Sequence, residues 1–354
     1  MKRDLIEYMY RDDFIAFVEL AFQIVHPRKT LKSSWHHDVI AEHLEFCRIG
    51  QLPRLIINAP PRSLKSFIAS VAFPAFALGQ NPMMQIMSIV ANQELAGELL
   101  DRLERLMSAA RYRSLFPHIH IKRTRNSLGT GHGGSFKSTP LYTSPIGRGA
   151  DLIILDDPMS STDARNERAT KAALDWLTSE VFSRLNDKAS APIILVMQRL
   201  SHHDLTARCS DWHRLKITAI ARKPEVHRLP DRTQPWIRPA RNVLSPEIES
   251  LETLWEIYCQ IGHLEFSAQY LQDPIQNQWI NSRVFYEYDA ANWSVDGPQP
   301  EFKCMFSVAA YIRWECFGVG PRPPYNWKCP ITPEQEQAHI MYSQKKLMAE
   351  AAED

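Results

Sequence analysis

Residues 55–66 read Leu55-Ile56-Ile57-Asn58-Ala59-Pro60-Pro61-Arg62-Ser63-Leu64-Lys65-Ser66. An apolar run, a Pro-rich turn and a Lys-Ser pair opening an amphipathic stretch give the order strand, loop, helix. In that context a loop can cradle phosphates. Backbone N–H groups and a helix N-terminus face the anion, the Lys reaches the β/γ-phosphates, and the Ser hydroxyl reaches Mg²⁺. The pattern GxxxxGK[ST] is met incompletely. Ala59 stands at its first glycine and Leu64 at its second, where a side chain beside the Lys can crowd the cradle. Alone, the segment is equally a Pro-stiffened turn carrying a solvated Lys.

A second segment, Asp151-Leu152-Ile153-Ile154-Leu155-Asp156-Asp157-Pro158, ends an apolar run in two adjacent carboxylates. A phosphate-loop ATPase needs one carboxylate for Mg²⁺ and commonly a second to orient the attacking water. Asp156, nearest the strand end, suits the metal; Asp157 suits the catalytic base. Asp-Asp-Pro by itself also makes a plain turn. Two half-matches in this order, each at a strand end, favour the ATPase reading. The candidate nucleotide-binding residues are Pro60, Pro61, Arg62, Ser63, Leu64, Lys65 and Ser66, with Ser66 and Asp156 as metal ligands.

Outward from these two segments, short apolar runs alternate with amphipathic stretches. Runs at 55–58, 84–90, 152–155, 193–197 and 215–219 read as strands. Stretches from Lys65, at 92–107, 167–185 and 203–209 read as helices. Continuous apolar runs between helices imply an α/β fold, a mostly parallel sheet with helices on both faces. The Gly-rich stretch 129–134 reads as a loop. Four segments follow: an N-terminal helical segment over 1–50, with helices at 12–25 and 37–49; a core over 51–222; a linker and helical sub-domain over 223–290, helical at 247–270; and an irregular tail over 291–354, ending in a polar helix from Glu334.

Phosphoryl transfer usually needs positive charge beyond the Lys. Arg62 lies inside the loop. Arg148, between Gly147 and Gly149, is placed to reach a neighbouring subunit's site, though it is equally an ordinary surface Arg. Gln198 and Arg199 follow the run 193–197, where such enzymes place a residue that senses the γ-phosphate. His202-His203-Asp204 reads as a helix cap rather than a metal site, and the same caution covers His36-His37. Residues 111–125 carry Arg111, Arg113, Lys122, Arg123 and Arg125 without an acid, interleaved with Tyr112 and Phe116. That stretch is either a nucleic-acid patch or a solvated face.

Bulk composition announces no nucleic-acid partner, since 41 basic residues stand against 40 acidic ones in 354. The first residues lack the apolar stretch of a signal peptide, and no run approaches the length of a spanning helix. Six scattered cysteines, with no CxxC pair, suggest free thiols in a reducing cytosol.

The order Trp35-His36-His37, IINAPPRSLKS, AGELLDRLERL, GRGADLIILDDP, LVMQRLSHHDLT and FSAQYLQDPIQ resembles phage terminase large subunits over about residues 10–290. The resemblance implies an additional-strand (RecA-like) P-loop fold that hydrolyses ATP with Mg²⁺ and drives double-stranded DNA into a procapsid. It implies a homo-oligomeric ring on the portal protein, a terminase small subunit as partner, and the cytoplasm of a bacterial host rather than a membrane. Lys65 and Ser66 match the family's Walker A positions, Asp156 and Asp157 its Walker B metal ligand and catalytic acid, and Gln198 falls in its coupling motif. Family members often carry Glu where Asp157 stands and Gly where Leu64 stands. Complete terminases also hold a nuclease domain. About 60 residues after FSAQYLQDPIQ and its follow-on VFYEYD, with no carboxylate in FKCMFSVAA, lead to the expectation that it is absent. A degenerate, non-hydrolysing terminase fragment and another P-loop DNA-dependent ATPase are the alternatives.

Overall fold

The computed structural model describes residues 2–143, 149–227, 236–275 and 312–318. The chain divides into two units, Met1–Ile280 and Asn281–Asp354. Within the second, the described residues hold a π-helical turn, Arg313–Phe317, with Ile312 and Cys316 buried. The polar helix expected from Glu334 lies outside the described residues.

The first unit opens with α1 (Lys2–Asp12), α2 (Phe14–Val25) and α3 (Trp35–Arg48). Asp13 starts α2 by accepting the Ile15 N–H at 2.8 Å, which satisfies one of the donors a helix start leaves orphaned. Strand β1 (Arg54–Asn58) leads through the Pro-rich loop into α4 (Lys65–Phe67), a π-helical turn (Ile68–Ala72) and α5 (Phe73–Gln80). Then come β2 (Gln85–Val90), α6 (Gln93–Ser108), α7 (Ala110–Leu115), β3 (Lys122–Arg123), β4 (Ser127–Gly129), β5 (Ser135–Pro140) and β6 (Leu152–Asp156). Helices α8 (Ser161–Ala164) and α9 (Glu167–Trp176) follow, α9 running on through a π turn (Leu177–Val181) and a 3₁₀ turn (Phe182–Arg184). Strand β7 (Ile193–Met197), α10 (Leu205–Arg208), β8 (His213–Lys216), β9 (Glu225–His227), β10 (Trp236–Arg238) and α11 (Leu251–Gln269) complete the unit.

The main sheet runs β3-β4-β5-β2-β6-β7-β1-β8. From β5 to β8 every neighbouring pair is parallel. Strand β7 is the additional strand, inserted between the loop-bearing β1 and the acidic β6, so the fold is the α/β, RecA-like P-loop type. Side-chain alternation splits the apolar interior into two layers. Leu55, Ile57, Leu152, Ile154, Ile194 and Val196 face a core shared with α2, α3, α5 and α6. Ile56, Ile153, Leu155, Ile193, Leu195 and Met197 face a second core under α9 and its π turn. A strand buried on both faces needs apolar residues at every position, which is why these runs are continuous.

Three features depart from the sequence reading. The stretch read as a loop at 129–134 is a loop over 130–134, but it joins two strands the sequence reading did not mark, β4 and β5. Strand β5 is Ser-Phe-Lys-Ser-Thr-Pro, and Ser135, Phe136, Ser138 and Thr139 are buried, so small hydroxyl residues hide an interior strand from a hydropathy pattern. Strand β8 starts at His213, and its pairing with β1 ends at Lys216. Tyr112 and Phe116 are core residues rather than a stacking surface: the Tyr112 hydroxyl donates to Ala75 O at 2.8 Å, and the Phe116 ring lies 6.1 Å from that of Phe17. Arg123 is held by Asp101 at 2.8 Å and Glu104 at 3.2 Å. The basic run is thus partly neutralised. Among the described residues no helix is long and apolar enough to cross a membrane.

Gly79 near the end of α5 tests the packing of this core. Alanine normally stabilises a helix interior by about 1 kcal/mol over glycine. Here a Cβ would meet the Phe116 ring at 2.7 Å, and overpacking a tight core typically costs about 1–3 kcal/mol. Gly79→Ala is therefore expected to lower stability in urea unfolding, against its helix propensity; a gain of stability would show that the Phe116 ring yields freely.

Candidate active site

Strand β1 delivers the loop to the carboxyl edge of the sheet. Within the loop the Ser63 hydroxyl donates to Pro60 O at 2.8 Å and closes the turn. Arg62 and Leu64 take positive φ, 60° and 61°, whereas Ser63 between them does not. Such alternation turns successive N–H groups toward one concavity, the arrangement of an anion nest. For a non-glycine residue each left-handed conformation costs roughly 1–2 kcal/mol. Leu64 offsets part of this by packing against the apolar layer shared with α2 and α6. Its half-buried side chain packs against the edge of that core.

A buried histidine braces the same loop from behind. His36 Nε2 lies 3.2 Å from Ser63 O, and its Nδ1 lies 2.8 Å from Ser34 Oγ. A carbonyl can only accept, so Nε2 carries a proton. Burial, followed by the charge of neighbouring His37, holds the His36 imidazole well below its ordinary value. No sequence signal announced this role, because the partner is a backbone oxygen 27 residues away.

Strand β6 brings its carboxylates to the same edge. The Ser66 hydroxyl donates to Asp156 Oδ1 at 2.8 Å, joining residues 90 positions apart. Lys65 Nζ lies 3.7 Å from Asp157 Oδ2, with the Lys side chain 10% exposed and the Asp 40%. Asp157 sits at φ 41° and its N–H donates to Val196 O at 2.8 Å, which ties it to β7. Burial pushes the Asp156 carboxyl up to about 6; the nearby Asp157 charge adds to this, and Ser66 and Lys65 oppose it. A hydroxyl oxygen and a buried carboxylate short of counter-charge are hard donors of the kind Mg²⁺ takes beside phosphate oxygens. The donor set therefore fits a Mg²⁺–nucleotide.

Gln198 follows β7 directly, and its Oε1 is buried without a hydrogen-bond partner. Arg199 is buried against Asp204, Nε to Oδ2 at 2.8 Å. Asp204 also accepts the Ala207 N–H at 3.1 Å, so the His202-His203-Asp204 segment is a helix start. No group of three or more His, Cys, Asp or Glu residues suited to a metal occurs among the described residues. Arg62 is exposed and stands beside Glu249 and Tyr270, where its charge opposes the burial that raises both. Residues 60–63 line a small cleft with Ala219, Leu244, Ile248 and Glu249. Arg148 lies outside the described residues.

No family model matches the chain, and no curated protein matches it. Among solved structures, the HK97 bacteriophage large terminase is similar at 14% identity and TM-score 0.44, covering 59% of this chain and 43% of that one. The Thermus phage P74-26 large terminase ATPase domain is similar at 16% identity and TM-score 0.41, covering 63% and 89%. A large terminase from a thermophilic bacteriophage in complex with ADP is similar at 10% identity and TM-score 0.39, covering 65% and 52%. The chain thus spans less than half of the HK97 protein. These likenesses are distant, and the site's own geometry carries the functional reading.

His37, next to the brace, supplies a pH test. Burial holds it down to about 4 against an ordinary 6.5. The unfolded chain binds a proton in that interval and the folded one does not, so stability falls as pH drops from 6.5 toward 4, by up to about 3 kcal/mol. In urea titrations at pH 7 and pH 4.5, His37→Leu is expected to lose less stability on acidification than the parent. Equal losses would show that His37 is not held neutral.

Proposed function

We propose that this chain is the ATP-hydrolysing motor part of a phage or prophage terminase large subunit, acting in packaging of double-stranded DNA into a procapsid. The observation that carries the ATPase reading is the junction of the two strand ends: Ser66 donating to Asp156 at 2.8 Å with Lys65 3.7 Å from Asp157. A plain turn carrying a solvated Lys does not bury that Lys beside two carboxylates. The packaging role rests on the ordered segments from Trp35 to FSAQYLQDPIQ. From that resemblance come the further partners: a ring of identical subunits on the portal protein, a terminase small subunit, and transient residence at the procapsid in a bacterial cytoplasm.

In this reading Ser66 Oγ and Asp156 would hold Mg²⁺, and the loop from Pro60 to Ser63 with the Leu64 and Lys65 N–H groups would cradle the phosphates. Bound there, Mg²⁺ would supply positive charge against the phosphate oxygens. Lys65 Nζ adds a second positive charge at the γ-phosphate. The Asp157 carboxylate orients the attacking water and accepts its proton. Gln198, whose buried oxygen has no partner, senses the γ-phosphate. Arg62 adds charge from the same loop, and Arg148, between two glycines, reaches the site of a neighbouring subunit. The left-handed Leu64 in place of a glycine favours a second reading, a terminase fragment that no longer turns over.

Steady-state ATP hydrolysis by the purified chain separates the two. Lys65→Ala and Asp157→Asn are each expected to lower kcat by ~10²-fold or more, the usual worth of a positioned charge or general base. Turnover that survives both substitutions, or a parent that does not hydrolyse ATP, contradicts the active-motor reading.

A further inference from the structure

The peptide units on either side of Gln198 are each fixed by a buried carboxamide. Before it, Met197 O accepts from Asn58 Nδ2 at 3.1 Å. Asn58 is fully buried and spans the sheet edge, donating to Thr206 Oγ1 at 2.9 Å and accepting from Arg214 Nε at 2.8 Å. After Gln198, the Arg199 N–H donates to Gln272 Oε1 at 2.8 Å. Gln272 is 1% exposed and belongs to the turn that follows α11. Its own Nε2 donates back to Gln269 O at the last residue of that helix.

The turn itself is under constraint. Gln272 sits at φ 54°, a conformation that persists in a non-glycine residue only where its surroundings over-determine it. The surroundings do so here. Ala219 N–H donates to Tyr270 O at 2.7 Å, Asp273 N–H donates to Ser267 O at 2.9 Å, and Arg222 pairs with Asp273 at 2.7 Å. The end of α11 is thus bolted to the carboxyl edge of the sheet, and Gln272 is the residue of that turn whose side chain reaches the peptide beside Gln198.

We propose that Gln272 is a positioning residue that aims the Gln198 carboxamide through the Arg199 peptide and couples the state of the nucleotide site to the end of α11, with Asn58 fixing the other flank. This rests on the ATPase reading above. A rotation of Gln198 toward or away from a bound γ-phosphate turns the peptide it shares with Arg199, and Gln272 passes that turn to residues 266–273. A purely structural Gln272 would brace the turn equally with and without nucleotide.

The test is hydrogen exchange on the intact chain with and without Mg²⁺–ATPγS, beside kcat and KM for ATP. In the parent the analogue is expected to slow exchange both in residues 59–66 and in 266–273. In Gln272→Met the slowing at 59–66 remains and that at 266–273 disappears, while the free protein exchanges the Arg199 amide about tenfold faster, as loss of one hydrogen bond implies. Its kcat falls about tenfold with KM unchanged. Gln272→Glu keeps an acceptor for the Arg199 N–H and restores the response at 266–273. If Gln272→Met is unfolded by melting temperature, Gln272→Asn, which withdraws the acceptor by one methylene, must give the same loss. A response at 266–273 that survives Gln272→Met or Gln272→Asn overturns the coupling while leaving the ATPase reading intact. No slowing at 59–66 in the parent overturns both.

Discussion

The hydrogen bond from Ser66 to Asp156 depends on almost everything else in the first unit. Its two ends come from strands that do not touch, because β7 lies between β1 and β6. The register Asn58↔Met197 and Asp156↔Val196 brings both strand ends to one level. A one-residue slip in either pairing would send the apolar residues of one layer into the other and carry the carboxylates away from the loop. The continuous apolar runs that bury both faces are therefore also what sets the site. Desolvation then acts on the result: Asp156 is 5% exposed, its carboxyl is pushed up to about 6, and a bound cation is the partner that would relieve it.

Leu64 shows how a loop can depart from the glycine pattern and keep its shape. Glycine reaches φ near 60° at no steric cost, and leucine does not. The chain sets against that strain the packing of the half-buried Leu64 side chain against the α2–α6 layer, the Ser63–Pro60 hydrogen bond and the His36 brace on Ser63 O. The loop is held by its own Ser63–Pro60 turn and by the His36 brace, so its shape does not rest on a flexible residue. Rigidity replaces permissiveness.

The parts legible in the sequence are those governed by local pattern. Strands β1, β6 and β7 were visible as uninterrupted apolar runs, and α2 and α6 as amphipathic stretches; their caps, Asp13 and Asn92, whose side chains accept helix N–H groups, emerge only in the structure. The His202-His203-Asp204 segment was visible as a helix cap, and Asp204 is that cap. Strand β5 was not, because Ser135, Ser138 and Thr139 carry too little apolar area to mark an interior strand. His36, Asn58 and Gln272 were not legible as site residues either. Their roles exist only through partners 27, 139 and 73 residues away, and a side chain that holds a distant backbone group leaves no periodic trace.

The central claim, that the loop after β1 and the carboxylates after β6 form one Mg²⁺–nucleotide site, is tested most directly by calorimetric titration of the intact chain with ATPγS, in Mg²⁺ and in EDTA. The account predicts that Mg²⁺ tightens binding by at least about tenfold in the parent, roughly the worth of one charge-assisted contact, and has no such effect in Asp156→Asn. Equal affinity with and without Mg²⁺ in the parent, or the same Mg²⁺ gain in Asp156→Asn, would contradict it.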